Sequence, residues 1–388
     1  MPAINRIADF AEDMKAWRQH LHANPELLFD THETAAFVVE KLKEFGVDRI
    51  ETGIGRTGVV GIIEGQGEGP VIGLRADMDA LPIQEVRDLP YKSKNPGKMH
   101  ACGHDGHTTM LLGAARYLAE TRNFKGSVAL IFQPAEEGGG GGREMVDDGM
   151  MENFDIGQVY ALHNWPGIDV GRLETMAGPA MAAADQFDII VHGKASHAAQ
   201  PQNSVDAVIV ATQIVQAMQL IASRNTDPTE SVVVSVTKIA AGNTYNVIPD
   251  RAEIGGTVRT LSEDVRQDVA KRIEKLAKSV GDGLGAKVEV KYDFGYPVTV
   301  NDHDKTVFAA SVASKLLGAE NTDSARIPEM GAEDFSYMLQ ARPGNYAFLG
   351  NGDSAALHHP EFDFNDEISP LGASYFAKLV ETAQPLNP

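Results

Sequence analysis

The chain has 388 residues, of which 43% are hydrophobic and 23% are charged. This balance is typical of a globular protein, and the length predicts two domains or one large domain with an insertion. The formal net charge of -20 repels a phosphate backbone, so we expect no nucleic-acid partner.

The start of the chain gives an expectation about location. The first twelve residues include acidic side chains and lack the apolar run of a signal peptide. No stretch approaches the about 20 apolar residues that span a bilayer. We therefore predict a cytoplasmic protein without a membrane partner. The single cysteine, Cys102, excludes an internal disulfide framework.

Predicted helices and strands alternate along the first part of the chain. The spacing of apolar residues predicts helices over residues 7–21, 34–45 and 108–119. Short apolar runs predict strands over residues 58–63, 71–74, 127–132 and 158–162. Because strands that are apolar throughout are buried on both sides, this pattern indicates an α/β sheet covered on both faces.

The pattern changes after about residue 180. Strands now alternate between apolar and polar residues, and two amphipathic helices are predicted, one over residues 204–222 and one beginning near Ser262. After Pro297 the α/β pattern returns, with helices over residues 305–317, 333–340 and 370–382 and a strand over 346–349. We therefore predict an α/β domain with a central mixed sheet covered by helices, formed by residues 1–180 and 295–388. An inserted α+β domain, residues 181–294, interrupts it.

A run of metal-type side chains precedes the helix predicted at residue 108. Residues 100–107 contain three histidines, one cysteine and one aspartate: His100, Cys102, His104, Asp105 and His107. We expect the run to lie in a loop at the end of a buried strand, where sites are commonly built. Imidazole and thiolate together favour a divalent metal such as zinc.

Two adjacent carboxylates follow the strand predicted over residues 127–132. Of Glu136 and Glu137, one can bind a metal while the other takes a proton from water. A divalent cation would also relieve the repulsion between them. The alternative is an acidic turn followed by a flexible glycine linker over residues 138–142.

Further metal-type groups occur at other strand ends. His163 follows the strand predicted over residues 158–162, and His358 and His359 follow the strand predicted over 346–349. Asp77 follows the strand over 71–74 and is placed to orient a histidine ligand, although an Asx turn explains it equally well. In the inserted segment, His197, Asn246 and Arg259 are either site residues or surface turn residues.

These motifs give the chain a resemblance to a known family. It resembles the hippurate hydrolases, N-acyl-amino-acid amidohydrolases and auxin-conjugate hydrolases, within the wider aminoacylase and carboxypeptidase type of dinuclear metalloenzymes. The resemblance covers nearly the whole chain and is carried by four motifs in order: Arg75-Ala-Asp-Met-Asp-Ala-Leu-Pro82, His100-Ala-Cys-Gly-His-Asp105, Gln133-Pro-Ala-Glu-Glu-Gly138 and Met330-Gly-Ala-Glu-Asp-Phe335.

The resemblance implies a role for each candidate residue. The implied metal ligands for two divalent ions (zinc, manganese, cobalt or nickel) are Cys102, His104, Glu137, His163 and His358, with Cys102 bridging the ions. The implied general base and acid is Glu136. His358 is chosen over His359 because the family pattern is Leu-His-x-Pro. The wider family commonly has a histidine where Arg75 stands, and this branch uses the cysteine instead.

The resemblance also assigns functions to the two predicted domains. The part formed by residues 1–180 and 295–388 is implied to be the catalytic domain, and residues 181–294 a dimerisation and lid domain that makes a homodimer or homotetramer. His197 is implied to stabilise the oxyanion in the partner subunit's site. Asn246 and Arg259 are implied to hold the substrate carboxylate or carbonyl.

The function implied by the resemblance is hydrolysis of the amide bond of N-acyl amino acids, small-molecule substrates, by a metal-dependent amidohydrolase. A dipeptidase or carboxypeptidase of the same fold is one alternative. A non-catalytic metal-binding protein is another. A third, a thiol hydrolase with Cys102 as nucleophile, leaves Glu136, Glu137, His163 and His358 without a role.

Overall fold

The computed structural model describes residues 2–386. Its α-helices are, in chain order, α1 (Asn5–Ala8), α2 (Ala11–Ala23), α3 (His32–Glu44), α4 (His104–Thr121), α5 (Gly141–Asp147), α6 (Met150–Asn153), α7 (Ala207–Leu220), α8 (Glu263–Gly283), α9 (His303–Leu317), α10 (Phe335–Ala341) and α11 (Ser369–Ala383). Short 3₁₀ or π turns occupy Pro201–Asn203, Ile221–Asn225, Ala319–Asn321 and Asp366–Ile368.

The strands are, in chain order, β1 (Arg49–Ile54), β2 (Gly58–Glu64), β3 (Val71–Asp77), β4 (Ser127–Gln133), β5 (Ile156–Pro166), β6 (Leu173–Glu174), β7 (Gly178–Met181), β8 (Ala183–His192), β9 (Ser196–His197), β10 (Val232–Ala241), β11 (Val247–Ile248), β12 (Arg251–Thr260), β13 (Lys287–Tyr296), β14 (Thr299–Asn301), β15 (Thr322–Asp323) and β16 (Gly344–Gly352).

The first compact unit comprises residues 1–180, 300–327 and 334–388. It contains an eight-stranded sheet in the order β1-β2-β4-β3-β5-β16-β6-β15. The four neighbouring strands β4, β3, β5 and β16 are parallel, whereas β1 and β2 are antiparallel. The central strands are buried along almost their whole length because helices cover the sheet. The predicted central mixed sheet is therefore confirmed.

The core of this unit is built around α4, which is buried on nearly all sides. It packs against β3, α2 and α11. After its first turn α4 is apolar or small at most positions, with Arg116 and Glu120 on the side that reaches the surface, as expected of a largely buried helix. The consequence for function is that the first turn of α4 is held rigidly at the ends of the parallel strands.

The second compact unit comprises residues 181–299 and 328–333. Its antiparallel sheet has the order β10-β12-β8-β13, with α7 and α8 packed on it. The predicted alternation is confirmed, because Phe187, Ile189 and Val191 of β8 are buried while their neighbours are not. Ser262 caps α8, as the predicted helix start near this residue indicates, and Asp206 caps α7, which begins three residues later than predicted.

One helical segment, Ala207–Asn225, is long and apolar enough to cross a membrane by length and composition alone. Val210, Ile214 and Met218 lie on its buried face, within the core of the second unit. Val208, Ile209 and Leu220 are exposed. These two apolar faces account for the high hydropathy of the segment.

Several element boundaries differ from the sequence-based predictions. The loop predicted for residues 100–107 is wrong in its second half, because α4 begins at His104, where Gly103 with φ 95° allows the sharp entry into the helix. His163 lies inside β5, and Asp77 lies inside β3. The helix predicted over residues 7–21 is divided into α1 and α2. β1 and the helices α5 and α6 were not predicted.

A buried charged cluster joins α2 to the start of α4. Arg18 is fully buried and donates to Asp366 at 2.5 and 2.7 Å. His22 lies between Asp105 Oδ2 at 2.8 Å and Glu85 Oε1 at 3.4 Å. Burial disfavours the His22 cation, but the two carboxylates outweigh burial and raise the pKa of His22 to about 9.

This shift gives a pH-dependent stability. Because the folded pKa of His22 is raised, its charge stabilises the fold fully below about pH 6.5, and this contribution is lost as the pH rises through 9. The stability lost on His22→Gln is the difference in free energy of unfolding between wild type and the variant. We expect this loss to be about 3 kcal/mol larger at pH 6 than at pH 10. Urea unfolding at both pH values measures this, with exposed His20→Gln as control. A pH-independent difference would contradict the prediction.

Candidate metal centre

Polar side chains converge where the parallel strands of the first unit end. Asp77 is the last residue of β3, the pair Glu136 and Glu137 follows β4, and His163 lies towards the end of β5. These strands are neighbours in parallel register, with Asp77 paired to Gln133. Because the carboxyl ends of parallel strands meet at one edge of a sheet, residues far apart in sequence come together here.

The segment 100–107 brings Cys102 and His104 to the same edge. Both side chains are buried, and the Sγ of Cys102 lies 3.5 Å from His163 Nε2. Gly103 separates them at φ 95°, and a Cβ at this position would lie 2.0 Å from Asn164 Oδ1. Only glycine therefore fits between the two candidate ligands.

The predicted ligands form two overlapping groups. Potential ligand atoms of Cys102, His104 and His163 lie within 4.8 Å of one another, and so do those of Cys102, Glu137 and His358. Cys102 belongs to both groups, which is the arrangement that a bridging ligand needs. The structure thus brings together all five residues of the predicted set.

The loop bearing His358 is held against the cysteine segment. The backbone N–H of His358 donates to Ala101 O at 2.7 Å, and His358 adopts φ 63°, which is rare for a residue other than glycine. Its Nε2 lies 3.4 Å from Glu137 Oε1. The neighbouring His359 is exposed, and its Nδ1 accepts a hydrogen bond from the N–H of Glu361 at 3.2 Å.

The polar atoms of this cluster fit a cation. Both ring nitrogens of His104 and Oε1 of Glu137 are buried without a hydrogen-bond partner, and such atoms are rare unless something binds them. The Nδ1 of His163 donates to Asn164 O at 2.6 Å, which leaves Nε2 free to bind. Nitrogen, sulfur and carboxylate oxygen form a donor set suited to zinc and related ions.

Burial and the nearby carboxylates shift the pKa values of Cys102 and His104. Burial and the nearby carboxylates raise the pKa of the Cys102 thiol well above its usual range. Burial opposes charge on His104, but Asp77, Asp79 and Glu137 outweigh it and raise the pKa of His104 to about 10. The site thus concentrates negative charge and takes up protons when no metal balances it.

Glu136 lies beside this cluster. Its side chain is 7% exposed, and its carboxylate groups with His104 and Glu137 within 4.8 Å. The carboxylate of Glu137 therefore lies in the group with Cys102 and His358, and that of Glu136 lies near His104. This geometry allows the division of roles between the two residues that their adjacency predicts.

Asp77 has more partners than the sequence indicated. Its Oδ2 lies 3.6 Å from His104 Nε2. Its Oδ1 is 2.6 Å from His107 Nδ1. The other ring nitrogen of His107 is 2.6 Å from Asn164 Oδ1, so His107 belongs to a buried hydrogen-bond network.

A second buried network, missed from the sequence, supports Asp77. Arg75 donates to Asp77 Oδ2 at 2.7 Å, to Gln133 Oε1 at 2.9 Å and to Asp334 Oδ1 at 3.1 Å. Asp334 Oδ2 also accepts from the N–H of Gly142 at 2.8 Å. The motifs that contain Arg75, Gln133 and Asp334 were visible in the sequence, but only the fold shows that they meet.

The remaining predicted residues belong to the second unit. His197 in β9 pairs with Val247 of β11, and the N–H of Ala198 donates to Asn246 O at 2.9 Å. His197 therefore lies in β9, and Asn246 directly precedes the short strand β11 that pairs with it. Arg259 lies in β12, partly buried, and donates to Val258 O at 3.0 Å and to Thr257 Oγ1.

The fold and the cluster define a metal-binding amide hydrolase. The chain belongs to peptidase family M20/M25/M40, whose model matches residues 73–382. The resemblance found in the motifs is thereby confirmed.

Relatives of this chain include amide hydrolases and a peptidase of solved structure. The chain is 42% identical over 379 residues to hippurate hydrolase of Campylobacter jejuni, covering 98% of each chain. It is 44% identical over 370 residues to N-acetyl-L-cysteine deacetylase of Bacillus subtilis, covering 95% of this chain and 87% of that one. The crystal structure of the Bacillus subtilis YXEP protein, described as a dinuclear metal binding peptidase, matches with a TM-score of 0.86 and 34% identity, over 97% of this chain and 99% of that one.

The two adjacent histidines provide a matched test of the ligand set. We expect His358→Asn to weaken Zn²⁺ binding at least about tenfold, because it removes a nitrogen beside Glu137 and Cys102. We expect His359→Asn to bind Zn²⁺ like wild type, because His359 lies outside both ligand groups. Calorimetric titration of the metal-free proteins measures both affinities. Equal affinities for the two variants would remove His358 from the ligand set.

Proposed function

We propose that this protein hydrolyses the amide bond of N-acyl amino acids, releasing a carboxylic acid and an amino acid, with two divalent cations per subunit. The observation that carries this proposal is the convergence of five metal-type side chains beside Glu136 at one edge of the sheet. Four separate segments of sequence contribute to it. Cys102, His104 and His163 are buried, which a chance cluster of polar surface residues would not be.

The proposed ligands are Cys102, His104, Glu137, His163 and His358. Thiolate and imidazole favour zinc, and manganese, cobalt and nickel accept the same types of donor. The bound cations would supply Lewis-acid activation of the attacking water and of the amide carbonyl. Asp77, whose Oδ2 lies 3.6 Å from Nε2 of His104, is proposed to orient that ring, and the carbonyl oxygen of Asn164 fixes the tautomer of His163.

Glu136 is the proposed proton carrier. It takes a proton from the water that attacks the amide carbon and later donates a proton to the leaving nitrogen. A carboxylate can do this only if it is not itself consumed as a strong metal ligand. The neighbouring Glu137 fills the ligand role, because its carboxylate lies within 4.8 Å of the ligand atoms of His358 and Cys102.

The second unit is the proposed lid and dimerisation domain. We propose that Asn246 and Arg259 hold the substrate carboxylate or carbonyl. Within residues 2–386 Arg259 forms no ion pair, and both of its hydrogen-bond partners are neutral. Its guanidinium is therefore available to donate hydrogen bonds to a substrate carboxylate. His197, which is exposed, is proposed to stabilise the oxyanion in the site of a second subunit.

Association through the second unit is supported by its surface. β10 lies at the edge of its sheet, and the exposed residues Val233 and Ile239 lie on it. The exposed Val208, Ile209 and Leu220 of the helical segment 207–225 add further apolar surface. An apolar edge strand is an ordinary pairing surface for a second copy, so we propose a homodimer, or a homotetramer built from it.

We also propose the cytoplasm as location, where the thiol of Cys102 stays reduced.

The names of the relatives define the substrate class that we propose. Hippurate hydrolase and N-acetyl-L-cysteine deacetylase both act on an acyl group joined to an amino acid. A carboxypeptidase activity is the second candidate, because thermostable carboxypeptidase 2 of Saccharolobus solfataricus is 38% identical over 98% of this chain and 98% of that one. Either substrate has a free carboxylate near the cleaved amide.

Metal removal tests the proposed function directly. We expect the purified protein to release amino acid from N-benzoylglycine or from N-acetyl amino acids. Activity should disappear on chelation and return when zinc or manganese is restored, because the reaction depends on the bound cations. Amine release from a panel of N-acyl amino acids and dipeptides is the measurement. Activity that survives complete metal removal, verified by elemental analysis, would refute the metal mechanism, and a preference for dipeptides would favour the carboxypeptidase candidate.

The two glutamates can be separated by matched substitutions. We expect Glu136→Gln to keep both metals but to lose about 10²–10⁴-fold in kcat, because it removes the proton carrier. Glu137→Gln should instead weaken metal binding, because it removes a ligand. Metal content and kcat measured together distinguish the two. If Glu136→Gln retains near-normal turnover, the assignment of the proton carrier is wrong.

A further inference from the structure

One buried carboxylate at the centre has no role in the function proposed above. Asp79 lies two residues beyond β3 and is 1% exposed. Its Oδ1 accepts the backbone N–H of Glu136 at 2.9 Å, and its Oδ2 accepts the backbone N–H of Glu137 at 3.1 Å. A single side chain thus binds the backbone of both glutamates, one with each oxygen.

The turn that these bonds hold is one that the chain would not adopt readily. Ala135, directly before the two glutamates, has φ 54°, a conformation that an L-residue other than glycine rarely takes. Such a residue persists only where its surroundings impose the conformation. Glu136 O accepts from the N–H of Gly138 at 2.7 Å, and Ala135 O accepts from that of Gly141 at 3.1 Å. Asp79 is the side chain that fixes this turn from the neighbouring strand end.

Asp79 also reaches the other side of the ligand cluster. Its Oδ1 lies 3.5 Å from Nδ1 of His104. The carboxylate of Asp79 therefore contacts His104 on α4 and the backbone of Glu136 and Glu137 after β4. This contact places the two segments at a defined separation.

We propose that Asp79 is a positioning residue that sets the backbone of Glu136 and Glu137, and with it the distance of their carboxylates from His104. The inference rests on the proposed function, since it concerns the same site. Asp79 acts through these residues and touches neither substrate nor the reacting atoms.

The chemistry requires a carboxylate at this position. Two backbone N–H groups point at two oxygens, and a carboxylate has only acceptors. In Asp79→Asn one oxygen becomes an NH₂ group, which faces an N–H and cannot accept from it. One buried N–H is then left unpaired, and the turn must shift to satisfy it.

A matched control exists in the same unit. Glu26 likewise accepts two successive backbone N–H groups, that of Glu33 at 3.2 Å with Oε1 and that of Thr34 at 2.8 Å with Oε2. It serves the start of α3 and has no part in the metal cluster. Glu26→Gln therefore makes the same chemical change as Asp79→Asn at a side chain outside the proposed ligand set. The backbone O of Glu26, which accepts the N–H of Ala80 at 2.8 Å, is unchanged by it.

The test compares wild type, Asp79→Asn and Glu26→Gln by two readouts. One is kcat and KM at saturating Co²⁺ with an N-acyl amino acid substrate. The other is the affinity of the metal-free proteins for Co²⁺, followed by the visible absorption of the cobalt–thiolate centre. We expect Asp79→Asn to lose about 10–100-fold in kcat with KM within about threefold of wild type, and to bind Co²⁺ at least about tenfold more weakly. Glu26→Gln should match wild type in both.

The outcomes decide the proposal. If Asp79→Asn matches wild type in both readouts, or if Glu26→Gln shows the same losses, the proposal is overturned, because Asp79 then has no specific effect on the site. Should Asp79→Asn fail to fold, Asp79→Ser, whose hydroxyl can accept one of the two N–H groups, takes its place with the same criteria. If wild type hydrolyses no substrate, the proposed function fails, and the Co²⁺ affinities still decide the role of Asp79.

Discussion

The concentration of negative charge at the ends of β3 and β4 is the constraint on which the site depends. Asp77, Asp79, Glu136 and Glu137 lie in one small, largely buried region with the thiol of Cys102. Burying so many acidic groups is unfavourable unless cations balance them. The protein itself supplies Arg75 within this region, and the donor atoms of the ligand set are arranged to receive more positive charge. The buried acidic groups that are unfavourable without cations also give the centre its affinity for divalent ions.

The fold meets this constraint in successive shells. The proposed ligands Cys102, His104, Glu137, His163 and His358 form the innermost shell. Around them, Asp77, Asn164 and Asp79 fix side chains or backbone by hydrogen bonds. Beyond these, Arg75 joins Asp77 to Asp334, so that the fixed positions are tied to the sheet and to the start of α10. Rigid supporting contacts of this kind are what hold a metal centre in a productive geometry.

The position of α4 shows how packing and chemistry are coupled. The helix is buried on nearly all sides and therefore cannot shift without disturbing the core. Its first turn carries His104 and His107, and the residue before it is a glycine that no other residue can replace. The Arg18, His22 and Asp105 cluster secures the same turn from α2. The core of the first unit thus sets the orientation of the proposed ligand His104.

Much of this protein could be predicted from its sequence. Apolar runs of strand length gave the α/β class, because a strand buried on both faces has no polar side to show. The change to alternating strands after about residue 180 indicated a part of different construction. The residue types in the segments around Cys102, Glu136, His163 and His358 predicted a metal site, because the donor chemistry of thiolate, imidazole and carboxylate is local to each residue. The motif order then indicated the family.

What the sequence alone could not decide depends on distance in space. It could not show that His104 begins a helix, because the start of α4 is fixed by Gly103 against Asn164 and by burial from all sides. It left Asp77 between an Asx turn and an orienting residue, and it gave no role to Asp79, Arg75 or Asp334. Their roles arise from hydrogen bonds between segments that are up to 259 positions apart in the chain. The sequence determined which chemical groups are present and the class of fold that carries them. The tertiary structure decided which groups meet, because only the parallel register of the central strands brings their ends to one edge.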